Sequence, residues 1–214
     1  MSKLIQTVVG IDVGGAVKGF HAVALQGDTF IDKTAATDRA LVVDWCLEHK
    51  AIVVAVDAPC GWSQTGSSRL AERELELLGK KIYCFATPSR ERAETHEKKF
   101  YDWVFNGERL YGLLVNDYPL FNGERREGPA CIETFPHAIV CALAGQVVSA
   151  RTKSKVRRAT LRNRGCDDSK LPNIDFVDAA LCAVAADEFR KDKYQPFGNS
   201  EEGIIVVPAR APSG

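Results

Sequence analysis

Apolar and polar positions alternate along this chain in short blocks, and most blocks end at a turn residue. Thr7–Val13 (TVVGIDV) is an almost unbroken β-branched run closed by Gly14-Gly15, which predicts a central strand covered on both faces. Lys18–Leu25 predicts a second strand, Gln26-Gly27-Asp28 a turn, and Thr29–Thr34 a third strand. Asp38 then caps a helix over Arg39–Lys50, with Leu41, Val42, Trp45 and Cys46 on one face. Ile52–Val56 is a strand that stops at Asp57-Ala58-Pro59. From Ser67-Ser68 to Gly79, the spacing of Leu70, Leu75, Leu77 and Leu78 predicts an amphipathic helix. Ile82–Phe85 reads as a short strand, and Glu91–Asn106 and Glu108–Asn116 as two helices. Ala130–Phe135 is a strand, and Pro136–Ala144 a helix opened by proline. Asn173 caps a helix to about Arg190 whose core, AALCAVAA, is apolar on every side and therefore deeply buried. Ile204–Val207 is the last strand, with a frayed tail from Pro208.

Three meander strands followed by strand–helix units imply a mixed α/β sheet, part antiparallel and part parallel, with helices on both faces. That is the element order of the ribonuclease H-like fold. The expected organisation is one domain over 1–214, with a mostly helical insert at about 91–128 carrying substrate choice.

Composition narrows the function classes. Lys and Arg total 28 against 28 Asp and Glu, so net charge is zero and a polyanion site must be a local patch. Intrinsic disorder and fibrous repeats are excluded. The apolar stretches Ala51–Val56 and Ala179–Ala186 fall well short of the roughly 20 residues of a membrane helix. The first residues show no signal-peptide core, so a cytoplasmic protein is expected. Seven cysteines form no C-x-x-C pair, which predicts small buried apolar residues in a reducing compartment.

The candidate chemistry lies in acids at strand ends. Asp12 ends the first strand, Asp57 follows the fourth, Glu133 lies in ACIETF, and Asp175 and Asp178 open the apolar helix. Ligand sites in α/β sheets lie beyond the carboxyl ends of strands. Asp175 and Asp178 are three apart and share a helical face. Each acid has a plainer reading, as a turn cap, a strand terminator or a complement to the helix dipole. As a group they need neutralising, because buried like charges are costly without a cation. Oxygen donors without His or Cys favour Mg²⁺ or Mn²⁺. Two such ions about 3.5–4 Å apart can clamp both oxygens of a phosphodiester displacement. Of the histidines, His21, His49 and His96 are not needed; His137 after Pro136 is the one expected near the site.

A basic stretch holds Arg151, Lys153, Lys155, Arg157, Arg158, Arg162 and Arg164 with no acid among them, directly before the acidic helix. Phosphates bind such segments by charge and counterion release; a solvated face is the competing reading. Trp62, after Asp57, offers a base-stacking surface, and Arg90 a phosphate contact.

The blocks GIDVGG, VAVDAPCGWS, SRLAERELELLG, FATPSRE, IETFPHAIVCALAG, NIDFVDAALCAVAA and EEGIIVVP resemble the DUF429 family, described as a predicted nuclease with a ribonuclease H-like fold. NIDFVDAALCAVAA is also similar to the last catalytic helix of RuvC-type resolvases. The resemblance implies a metal-dependent nuclease with Asp12, Asp57, Glu133 and Asp178 as catalytic ligands and Asp175 as an accessory one. With the donor chemistry and the basic stretch, the expectation is two Mg²⁺ or Mn²⁺ ions and a nucleic-acid substrate bound by Lys153, Lys155, Arg157, Arg158, Arg162, Arg90 and Trp62. No membrane partner is implied, and a homodimer stays open. Two alternatives remain: a non-catalytic binding or scaffold module on the same fold, and an actin-like or sugar-kinase-type nucleotide-binding protein. GIDVGG suits the last, but Ala16 stands where a phosphate-contacting threonine is usual, and such proteins pair two such folds.

Overall fold

A computed structural model describes residues 6–97, 99–124 and 127–210. Positions 1–5, 98, 125, 126 and 211–214 lie outside the described residues; they include the start of the chain, points in the expected insert and the end of the expected tail.

Strands β1 (Thr7–Val13), β2 (Phe20–Gln26) and β3 (Thr29–Ala36) form the expected antiparallel meander, followed by α1 (Arg39–Glu48) and β4 (Val53–Asp57). Short elements come next: α2 (Leu70–Glu74), β5 (Glu76–Leu77), β6 (Lys80–Lys81) and α3 (Arg90–Glu94). Then follow α4 (Asp102–Leu114), β7 (Ala130–Glu133), α5 (Pro136–Ala144) and α6 (Lys153–Asn163). The series closes with α7 (Ile174–Arg190), β8 (Tyr194–Asn199) and β9 (Gly203–Pro208).

Among the described residues seven strands make one sheet, in the order β3-β2-β1-β4-β7-β9-β8. β1, β4, β7 and β9 run parallel, and the flanking pairs are antiparallel. This is the mixed sheet of the ribonuclease H-like arrangement, extended by the β8–β9 hairpin. The parallel strands end at one edge, which gathers the candidate acids there.

α7 lies against β1, β2 and β4 on one side and is covered by α5 and α6 on the other. That double cover explains why AALCAVAA is apolar all round. On the opposite sheet face α1 and α4 pack over Val9, Ile11, Val54 and Val56. Local signals hold where expected: the Asp38 side chain accepts from the Ala40 amide, Asn173 from the Phe176 amide, and Pro136 opens α5. No helix among the described residues is long and apolar enough to cross a membrane. All seven cysteines are free; five are buried, and Cys60 and Cys84 are half-buried.

Several expected elements differ. The helix expected over Ser67–Gly79 is only Leu70–Glu74, and a hairpin follows. Leu75 and Leu77 are buried while Glu76 and Leu78 are exposed, a two-residue period. Leu78 and Gly79 both adopt positive φ, the turn a two-residue hairpin needs. Ile82–Phe85 joins no ladder. The two expected helices divide differently: the first splits into α3 and the start of α4, and α4 runs on through Gly107, where glycine lets the helix approach Ala58; a Cβ would lie 2.6 Å from the Ala58 methyl. Ahead of α4, Thr95–Glu97 and Lys99–Tyr101 lie outside any helix. α6 and β8 were not anticipated: α6 has few apolar positions, and β8 reads YQPFGN. β2 begins at Phe20, which leaves Lys18 in a loop.

The approach of α7 to β1 depends on Gly10. A Cβ there would lie 2.0 Å from the Ala179 carbonyl oxygen and 2.1 Å from the Ala183 nitrogen, both backbone. Gly10→Ala is therefore expected to destabilise the protein by about 3 kcal/mol or more, because neither backbone can yield locally. Gly112→Ala, on the open face of α4 with nothing within 4 Å, is the control and should be neutral or stabilising. Equal urea midpoints for the two variants would refute this packing.

Candidate active site

Asp12 and Asp57 are direct partners in the parallel β1–β4 ladder. Gly10 faces α7, and Val53 and Ala55 pack in the α7 core, so two-residue alternation turns Asp12 and Asp57 to the same side. α7 brings Asp175 in its first turn and Asp178 one turn later. Four of the five expected acids therefore converge at one sheet edge.

The fifth, Glu133, ends β7 at the same edge but on the other face of the sheet; it lines one cavity with Asp57, and its charge adds to the rise of the Asp57 carboxyl. Ile132 belongs to the α7-side core and Cys131 to the α1/α4-side core, so the pleat points Glu133 away from α7. Its carboxylate accepts two Arg69 hydrogen bonds, at 2.8 and 2.5 Å, and the Cys60 amide at 2.8 Å. Arg69 is itself buried and also donates to Glu72 at 2.8 Å.

Each converging acid has a distinct electrostatic setting. Asp57 is partly buried, and its carboxylate makes no side-chain hydrogen bond or ion pair among the described residues. Burial, and then the charges of Asp12 and Asp178, hold its carboxyl well above the usual carboxylate range, against the pull of Arg157. Burial also raises Asp12, although Lys18 opposes it from 3.1 Å. Burial pushes Asp178 up to about 6, against Arg157, whose guanidinium donates to Asp178 Oδ1. Lys18 Nζ also reaches Asp175 Oδ1 at 2.8 Å. Carboxylates raised together by burial and by one another mark a site suited to a cation.

The basic residues divide. In α6, Arg157 is buried against Asp178, while Arg158 and Arg162 hold Asp168. Lys153 and Lys155 are exposed and without an ion pair among the described residues; Lys153 lies close enough to favour the charged form of Asp178. Arg90 pairs with Glu94 at 2.8 Å and with Glu108, and Trp62 Nε1 donates to Glu108 at 2.8 Å. Trp62 stacks on Phe105 at 4.9 Å, so these two residues brace one another.

His137 is half-buried on α5, and burial and then Arg157 lower its pKa. It is His21, set aside in the sequence, that lies directly across from Asp12 in the β1–β2 ladder. Counting back along the hairpin from its Gly14–Gly19 turn would have found it. Lys18 was likewise hidden by its assignment to a strand.

A mixed α/β protein with an acid cluster at the ends of its parallel strands is the class these features define. Over residues 10–202 the chain matches the family described as "Protein of unknown function (DUF429)", and it belongs to that family. No curated protein matches it. Among solved structures it is similar to the Thermus thermophilus RuvC structure, with a TM-score of 0.47 and 13% identity over 87% of this chain and 97% of that one.

Proposed function

We propose that the protein is a metal-dependent nuclease that hydrolyses phosphodiester bonds, with Asp12, Asp57, Asp175 and Asp178 holding two Mg²⁺ or Mn²⁺ ions. The observation that carries this is the in-register Asp12–Asp57 pair facing Asp178, with all three carboxyls raised by burial. The donor set fits hard divalent ions, since each acid offers oxygen and the Asp57 carboxylate is held up by burial and by neighbouring acids. When bound, such an ion supplies Lewis acidity toward a phosphodiester.

The chain's own groups do the rest. Arg157 orients Asp178 by its hydrogen bond. Lys153 and Lys155, exposed at the start of α6, attract the phosphate backbone. Glu133, engaged by Arg69, acts in this reading as a positioning group that fixes the loop after Asp57 through the Cys60 amide. The Lys18 and Arg157 ion pairs favour a second reading, a non-catalytic binding module in which these cations neutralise the acids permanently.

The test is incubation with single-stranded, duplex, branched and RNA–DNA hybrid substrates in Mn²⁺ or Mg²⁺. Product release is expected, and Asp57→Asn should reduce it at least about 100-fold, the upper range for loss of a group that merely supports a metal ligand. Release that Asp57→Asn leaves unchanged, or none from any substrate, would favour the second reading.

A further inference from the structure

We propose that Asp12, His21 and Asp175 form a cation position, held by the Lys18 ammonium in the metal-free chain, that prefers a first-row transition ion over Mg²⁺. This rests on the carboxylate metal centre proposed above and adds to it a nitrogen ligand and a competing side chain.

Three observations converge. One donor atom from each of Asp12, His21 and Asp175 lies within 4.8 Å of the others. Donors at about 2.0–2.2 Å from one ion sit up to roughly 4.4 Å apart, so a small closure suffices. A cation is already seated among the oxygens: Lys18 Nζ is 3.1 Å from Asp12 Oδ2 and 2.8 Å from Asp175 Oδ1. Finally, His21 is only 9% exposed and its Nδ1 has no hydrogen-bond partner among the described residues. A buried ring nitrogen without a partner is costly. Phe176 holds the ring edge-on at 4.8 Å between centroids.

The loop permits exchange. Gly14 N–H donates to the Gly19 carbonyl at 2.7 Å and Gly19 N–H to the Gly15 carbonyl at 2.8 Å, which closes the loop at its base. The Lys18 side chain is 43% exposed, so it can swing into solvent without moving the strands. Imidazole is a softer donor than carboxylate, and Mg²⁺ takes oxygen almost exclusively. A mixed nitrogen–oxygen set therefore favours Mn²⁺, the probe ion used below.

The decisive measurement needs no variant. Pulsed electron paramagnetic resonance of the Mn²⁺-loaded protein should show coupling to a ligand nitrogen, and ¹⁵N-histidine labelling should change it. In calorimetry, Lys18→Met should tighten Mn²⁺ binding about tenfold, the equivalent of one charge-assisted hydrogen-bond pair no longer displaced. His21→Gln should remove the nitrogen coupling and narrow the preference for Mn²⁺ over Mg²⁺. Mn²⁺ binding without histidine coupling overturns this inference, even where hydrolysis is intact. Lys18→Met with unchanged or weaker Mn²⁺ affinity overturns the competition. Histidine coupling in a protein that cleaves no substrate supports this cation position and removes the hydrolase reading instead.

Discussion

Arg69→Met is expected to cost about 3–5 kcal/mol of stability, the range for removing one partner of a buried ion pair. Arg69 is 1% exposed and sits between Glu133 and Glu72, both buried. It donates to both carboxylates and, at 3.2 Å, to the Glu202 carbonyl. Without it, two carboxylates face the interior with no cation in contact among the described residues. Arg69→Met/Glu133→Gln should recover part of the loss, because the second change removes the uncompensated charge. Urea unfolding of the parent, both single variants and the double variant gives the coupling directly. A cost for Arg69→Met within about 1 kcal/mol, as at a surface pair, would show that the network is not a buried anchor. The effect should extend to the candidate site, since the same Glu133 carboxylate holds the Cys60 amide three residues after Asp57.

The second large effect is on pH. In the metal-free protein, stability is expected to fall as pH rises from about 4 to beyond neutrality. Asp178 has a carboxyl pushed up from 3.8 to about 6, so in that window the folded state binds the proton more tightly than the unfolded chain. The slope of stability against pH is then negative. The contribution is complete below the unfolded value and lost as pH passes the folded one, about 3 kcal/mol at 1.36 kcal/mol per unit. Asp12 and Asp57 shift in the same direction and deepen the fall. Glu202 is lowered, with amides of Gln64 and Leu70 donating to it, so it acts oppositely and loses stability only in acid. Asp57→Asn should raise the stability of the metal-free protein at pH 8 by about 1–2 kcal/mol, a typical gain on relieving an active-site conflict. It is a cleaner test than Asp178→Asn, which would leave Arg157 buried without its carboxylate. Thermal unfolding from pH 4 to 9, with and without Mn²⁺, reads both effects. A parent that grows more stable toward pH 8 without metal would contradict the repulsion.

Much of the architecture was legible in the sequence. β1 matches its expected span to the residue, as does α5, because continuous β-branched runs and a proline at the first helical turn act locally. α7 was legible from Asn173 and AALCAVAA for the same reason. The elements that were misread depend on distant partners. The hairpin β5–β6 forms because Leu75 and Leu77 share a core with Phe197 and Ile205. α4 continues through Gly107 because Ala58 packs there. α6 forms with few apolar residues because Arg157 finds Asp178 and Leu161 finds the α7 core.

The candidate site divides in the same way. The sequence by itself determined that Asp12 and Asp57 would lie at strand ends and Asp178 on a buried helix, since strand length, turn glycines and helix period set those positions within a few residues. Tertiary structure decided which acids meet and which cation each one faces. Pleat parity turned Glu133 to the face where Arg69, 64 residues away, takes its carboxylate, while hairpin register put His21 across from Asp12. Those choices follow from strand pairing and charge compensation between distant segments, where a shift of one residue reverses a side chain's face.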